Sequence, residues 1–420
     1  MRLFAIAAVG LALVASPLTA QTLSERFRQL FTFGNCGQPL CLDVSNEHGS
    51  HYIPAVTQGE NDLLAFLTGS IATSLGNLPF TSATSGVTFR IDETGVPVAT
   101  SVSGGPIFAE RSQTLGRGRF LLGVNVNGIS MDNVRGVPLS DLELRFTHQN
   151  VRNPALGDPL FERDIIEVAT DMSLSLIVTS AFASIGIMND VDIGVLVPFV
   201  RASLEGSSQA TLDAFQPGSP HLFGGTSETA ESSAEGSATG IGDIAIRTKI
   251  NLYQTPDFGF ALLGDARLPT GDEENFLGSG TTSVRALGIL SGSFGNFAPH
   301  LNAGFAYRSG ENQSNSLLAT LGFDHLMSDR VSIAAELITD FEIGDPQLIL
   351  PEPVVFTSPN VETVNLTDIP NEKDNRMDAA FGVKFLLASE LRGVSNIMFP
   401  LNDGGLRPKF LWTIGIERTF

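Results

Sequence analysis

Cys36 and Cys41, in the segment NCGQPLC, are the residues with the most evident chemistry. In an oxidising compartment two cysteines at this spacing pair as a disulfide, and Gly37 and Pro39 allow the tight turn between them. The loop they close is short, so the gain in chain entropy is small and the bridge would shape a local knob rather than hold the fold. His48 and His51 follow in NEHGSH, near Asp43 and Glu47. His-x-x-His in a loop is a weak metal pattern, and no metal or other cofactor is expected. His325 beside Asp324, with Ser316 nearby, is the nearest approach to a catalytic set. On an extended strand Ser316 and His325 fall on opposite faces and cannot pair. No G-x-S-x-G or H-E-x-x-H occurs, and no enzyme is expected.

The remaining chemistry-bearing residues recur at every second position. In 240–253, Ile244, Ile246, Ile250 and Leu252 alternate with Asp243, Arg247 and Lys249. In 258–269, Phe258, Phe260, Leu262 and Leu268 alternate with Asp265 and Arg267; in 376–387, Phe381, Phe385 and Leu387 alternate with Asp378 and Lys384. Period two means strands with one apolar and one charged face. In a soluble sandwich the apolar face points inward; in a membrane barrel it faces lipid and the charges line the interior. Connections decide between these. Short ones follow residues 188, 253, 293, 327 and 387, and long ones, most obviously 205–239 and 343–375, alternate with them. That segregation predicts an all-β fold, a transmembrane antiparallel β-barrel of about fourteen strands, with twelve to sixteen allowed, spanning 86–420. The first strand is placed at 86–103, a short one at 139–149, and the last at 408–420. The expected lumen set is Asp243, Arg247, Lys249, Asp265, Arg267, Arg285, His300, Arg308, Asp324, Glu336, Asp340, Asp378, Lys384 and Arg392, joined by Lys409 and Glu417. Both signs on neighbouring strands imply cross-strand pairing. Pro198 and Pro299 fall inside strands, where proline marks a bulge or a strand end; either could instead break the wall and open a sideways exit into the membrane.

Both ends of the chain agree with export. Arg2, an apolar run from Leu3 to Val14 and a small-residue stretch ending at Ala20 read as a signal peptide over 1–20. Residues 21–85 lack the two-residue period. Ser24 is a candidate cap for a helix carrying Phe27, Leu30 and Phe31, and Asp62 for one carrying Leu63, Phe66, Leu67, Ile71 and Leu75. This segment is expected to be a periplasmic domain or a plug inside the barrel. At the other end, PKFLWTIGIERTF alternates Phe410, Trp412, Ile414, Ile416 and Phe420 with polar residues. It resembles the closing strand of bacterial outer-membrane proteins, which implies location in the bacterial outer membrane, contact with its lipid, and delivery by the barrel-assembly machinery.

Residues 240–252 (GIGDIAIRTKINL) and 266–280 (ARLPTGDEENFLGSG), with SIGIMNDVDIGVLVPFVR upstream, resemble the outer-membrane family named for the phenol meta-cleavage degradation pathway. The matching residues are Gly240, Gly242 and Asp243, then Leu268, Pro269, Thr270, Gly271 and Asp272. The resemblance implies a barrel and, by analogy with fatty-acid transporters, passive uptake of small hydrophobic, even aromatic, compounds. A general porin for polar solutes and a structural barrel with a closed lumen stay open beside it. The apolar stretch 346–356 in a long loop is a candidate lid or first docking groove, unless it serves only loop packing. A net charge of −20 speaks against nucleic acid as a partner. Trp 1 and Tyr 3 are few for the aromatic girdles of a membrane barrel.

Overall fold

The computed structural model describes residues 21–31, 33, 66–71, 89–91, 97–99, 104–147, 163–215, 217–218, 221–310, 313–346, 348–356, 360–388 and 390–420. The proposed signal peptide, Cys36 and Cys41, His48 and His51, and the Asp62 cap lie outside the described residues. Twelve antiparallel strands close a barrel. They are β1 (Phe120–Val134), β2 (Ile165–Gly186), β3 (Val191–Asp213), β4 (Ile244–Gln254), β5 (Phe258–Leu268) and β6 (Ser283–Gly292). They continue with β7 (Phe297–Arg308), β8 (Ser316–Ser328), β9 (Val331–Glu342), β10 (Arg376–Ala388), β11 (Leu391–Pro400) and β12 (Leu406–Thr419). Each pairs with its neighbour in sequence, and β12 returns to β1, so no wall strand is left with a bare edge. Phe120 and Phe420 exchange both backbone hydrogen bonds at 2.8 and 3.2 Å, and their rings stack at 4.7 Å.

The closing partner is therefore Phe120–Val134 and not residues 86–103. Within the latter, Phe89–Ile91 and Pro97–Ala99 pair, among the described residues, only with each other. Three-residue strands, one begun by a proline with no N–H to donate, are too short for a wall strand of ~9–11 residues. Nor does 139–149 cross: Leu142–Thr147 pairs with the outer end of β2 and bridges to Thr367 in the outer loop.

The barrel carries an extension that the loop reading missed. β2 and β3 are 22 and 23 residues long, about twice what a bilayer needs. Outward residues along β2 change from Ile185 and Ile177 to Ser175, Ser173, Asp171 and Glu167. The outer half thus stands in water, and Thr229–Ile241 pairs with β3 there. Its sequence, TAESSAEGSATGI, alternates small residues with polar ones, so it gives no apolar period. The inward side of the extension, including Ile166, Val168, Leu174, Leu204 and Leu212, covers helix α1 (Leu23–Gln29) and residues 66–71. Leu23, Phe27, Leu30, Phe31 and Phe66 are buried beneath it, each contributing roughly 1.5–3 kcal/mol by burial. The cap of α1 is Thr22, not Ser24, because Glu25 completes a capping box with Thr22. Of the two placements open for 21–85, α1 takes the outer mouth: Ser232 donates to Gln29 O at 2.6 Å, and Leu23 N donates to Asn275 at 3.1 Å.

Outward residues of the wall form an apolar band, including Phe199, Ile246, Leu262, Leu301, Leu321, Leu337 and Phe381, all exposed in the protein alone. The five connections of two to four residues between wall strands all lie at the end where Phe420 sits, which makes that end periplasmic. A closed antiparallel barrel with this band is an outer-membrane barrel. Phenylalanine supplies the belt that Trp and Tyr do not: Phe120, Phe258, Phe294, Phe297 and Phe420 ring the periplasmic end. The single tryptophan, Trp412, lies flat over Gly128, where an added Cβ would meet the indole at 2.3 Å.

Candidate functional site: the lumen and its strap

All fourteen charged positions in the expected lumen set have buried or half-buried side chains. Lys409 does not follow the pattern. A register shift at Pro408 puts Lys409 and Phe410 outward in succession. Glu417 does face inward, 3.9 Å from Lys384 and opposite Arg392 in the β11–β12 ladder.

What the sequence reading did not contain is the partner of this charged wall. Residues 104–115 run inside the barrel as a strap, from β9 round to β3. Gly104 N donates to Ser332 at 2.7 Å. The Glu336 carboxylate accepts three successive backbone N–H groups, from Ile107 at 2.6 Å, Phe108 at 2.9 Å and Ala109 at 3.2 Å. Glu110 and Asn302 exchange backbone-to-amide bonds of 2.6 and 2.9 Å. Arg111 pairs with Asp324, and Ser112 N donates to Ser291 at 2.9 Å. Lys249 and Asn251 donate to the carbonyls of Arg111 and Ser112. Leu115 N donates to Asp192, and Glu110 pairs with Arg247 at 2.6 Å and Lys249 at 3.6 Å. His300 lies between Glu336, at 3.4 Å, and Asp324, at 3.8 Å. Ile107, Ala109, Arg111 and Ser112 are all buried, so the strap fills the periplasmic half of the lumen. It left no periodic signal because its polar groups are backbone amides met by wall side chains. The flanking GGP (104–106) and GRG (116–118) were the one visible cue.

Above the strap a cavity of about 140 Å³ opens toward the outer ends of the strands. Phe108 and Glu110 form its floor; Leu263, Leu287, Leu318, Ile338, Met398 and Leu411 give it an apolar lining. Arg247, Arg267, Arg285, Arg308, Arg376 and Arg407 also line it, with Asp340 and Asp378. Asp265 joins Arg247 and Arg285 at 3.2 and 2.9 Å. Asp340 joins Arg308 and Arg376 at 3.0 and 2.8 Å, and Asp378 pairs with Arg407.

Two expected features have other roles in the structure. Asp243 is taken up by the outer loop: it accepts from Gly271 N at 3.1 Å and from Ser279 N and Oγ at 2.8 and 2.6 Å. Thr270 Oγ donates to Gly242 O at 2.7 Å and accepts from Ile244 N at 3.0 Å. The GIGD and LPTGD segments are thus two halves of one clasp. Gly271 is required there because a Cβ would meet Gly278 at 2.7 Å. The clasp closes over Pro198, where β3 changes partner from β4 to Thr229–Ile241 with one extra residue opposite, and Gly242 N still bonds Pro198 O at 2.8 Å. At Pro299 the ladder to β8 runs through without a shift.

The outer loop 343–375 also turns inward. Leu348, Leu350 and Phe356 are buried, and Val354–Phe356 pairs with Glu362–Val364. Its strut is Arg135, a fully buried side chain that bonds Asp374 at 2.7 Å and the carbonyls of Pro370 and Leu348 at 3.0 and 3.1 Å. The same guanidinium lies 4.7 Å from the Phe66 ring centre, tying loop to plug. Nearby, the hydrogen bond to Asp368 raises the pKa of Arg145.

Residues 168–341 match the family described as "Putative MetA-pathway of phenol degradation", so the resemblance carried by the clasp motifs holds over that stretch. No curated protein matches the chain. Among solved structures the chain is similar to an outer membrane channel from Pseudomonas putida F1, at 12% identity over 74% of this chain and 98% of that one, TM-score 0.43. It is also similar to a FadL homologue from Pseudomonas aeruginosa, at 12% identity over 72% and 90%, TM-score 0.32. A third is the toluene transporter TbuX from Ralstonia pickettii, at 14% identity over 73% and 90%, TM-score 0.29.

Proposed function

We propose that this barrel is a passive outer-membrane channel for small, largely apolar compounds. The observation that carries this reading is the half-apolar cavity above a strap that fills the lumen beneath it. A general porin needs a continuous aqueous path, whereas a closed floor under an apolar chamber suits a solute that leaves water before it crosses. The inward-turned apolar loop 343–375 and the plug helices over the mouth support the same reading. The cavity also reaches the wall at Ile129, Met131, Pro408 and Leu411, where the β1–β12 register shifts. A sideways exit there, rather than at Pro198 or Pro299, is the route we assign to an apolar solute. The test is influx into liposomes holding the purified protein, comparing a monoaromatic, a fatty acid and a sugar, each corrected for protein-free liposomes. Protein-dependent influx of the apolar compounds without the sugar is expected. Influx of sugar alone would make it a porin, and no influx of any compound would make it a structural barrel.

A further inference from the structure

The wall of the cavity is two-sided in its chemistry, apolar on one side and lined by guanidinium groups on the other. Six guanidinium groups line it with Glu110, Asp340 and Asp378; Asp265 lies just below, and Asp243 and Asp403 stand near Arg267 and Arg407. At the outer end Arg308 and Arg376 share one oxygen of Asp340 at 3.0 and 2.8 Å, and Arg308 also donates to Ser314 O and Ser316 Oγ at 2.7 and 2.8 Å. Two planar forks converging on a single carboxylate present geometry that a second carboxylate can bridge. Leu318 and Ile338 line the cavity on β8 and β9, the two strands between those of Arg308 and Arg376, and Phe108 closes its floor. The volume, about 140 Å³, is close to that of an apolar protein cavity of ~150 Å³ that holds one benzene molecule.

We infer that the preferred solute of this cavity is a one-ring aromatic carboxylate, its ring on Phe108, Leu318 and Ile338 and its head group on Arg308 and Arg376. This rests on the channel reading above and narrows it. A neutral hydrocarbon would fill the apolar side yet strip water from the guanidinium groups and return nothing to them, which is unfavourable. A small anion without a ring would leave the apolar side empty. A long acyl chain exceeds the volume while the strap is in place.

The test is calorimetric binding to the purified, detergent-solubilised protein at pH 7.5, with benzoate, benzyl alcohol and acetate as probes. Benzoate is expected to bind at least tenfold more tightly than either of the others. Arg376→Gln should remove most of that margin and leave benzyl alcohol unchanged. Equal affinity for benzoate and benzyl alcohol, or for benzoate and acetate, overturns the inference, as does equal weakening of all probes by Arg376→Gln. The three-probe comparison needs only the native protein, so it stands even if the variant does not fold. Benzoate binding without any apolar influx into liposomes would sink the channel reading and leave this site intact; apolar influx without a benzoate preference would do the reverse.

Discussion

Replacing Glu336 by glutamine removes the main latch of the strap. Its carboxylate accepts from three backbone N–H groups of residues 107–109 at 2.6–3.2 Å, two of them on one oxygen. Hydrogen bonds to a charged partner contribute about 1.5–3 kcal/mol each. Glutamine keeps one acceptor oxygen, turns the other position into a donor and removes the charge, so at least one N–H is left facing an amide N–H. A loss of about 2–4 kcal/mol in strap anchoring follows. With a factor of ten per ~1.4 kcal/mol, the population with the strap displaced should rise by about 30- to 1000-fold. The contacts at Asn302, Asp324, Ser291 and Asp192 remain, so the barrel itself should fold. The assay is single-channel conductance in planar bilayers, with arabinose influx into liposomes alongside. E336Q should show frequent open events and measurable arabinose entry; E336D, which keeps the charge on a shorter stem, should fall between. If E336Q conducts like the native protein and proteases cut residues 104–112 no faster, Glu336 is not the latch of the strap and the reasoning is refuted.

Three further outcomes are expected. Asp243→Ala should free the loop that follows β5 and lower the temperature at which the barrel band shifts on a heat-modifiability gel, for a loss of about 2–4 kcal/mol from three bonds to a charged acceptor; an unshifted band would mean the clasp is decorative. Arg135→Ala leaves Asp374 buried without its cation, a change that costs about 3–5 kcal/mol, and should expose loop 343–375 to limited proteolysis while the barrel resists. Phe420→Ala removes the ring stacked on Phe120, worth about 0.5–1.5 kcal/mol beyond burial, and should lower the yield in outer-membrane fractions more than it lowers the stability of refolded protein.

Twelve of the strands read from period two are wall strands, several within a residue or two of their bounds, because lipid on one side and charge on the other impose the alternation directly. Where that cause is missing the reading failed. Thr229–Ile241 stands in water, so its Ser, Glu, Gly and Ala carry no apolar face, and it passed for loop. Within 86–103, the described strands Phe89–Ile91 and Pro97–Ala99 pair with each other and not with the wall. Lys409 fell on the wrong side because a bulge at Pro408 inserts a residue that no period can register. The inward charges were legible as one-sided polarity. Their partners were not: Glu110, Arg111 and the amides of 107–109 are remote in sequence from Glu336, Asp324 and Arg247, and only closure of the barrel brings them together.

The sequence by itself determined the architecture and the address: alternation, loop lengths and the Phe420 strand specify a closed membrane barrel because each is a local response to lipid or turn geometry. The tertiary structure alone decided that the lumen is floored by its own N-terminal segment, that GIGD and LPTGD are a structural clasp, and that six arginines gather around one chamber. These arise from contacts between residues up to 239 positions apart, and pairing at such range is fixed by packing, which no local pattern encodes.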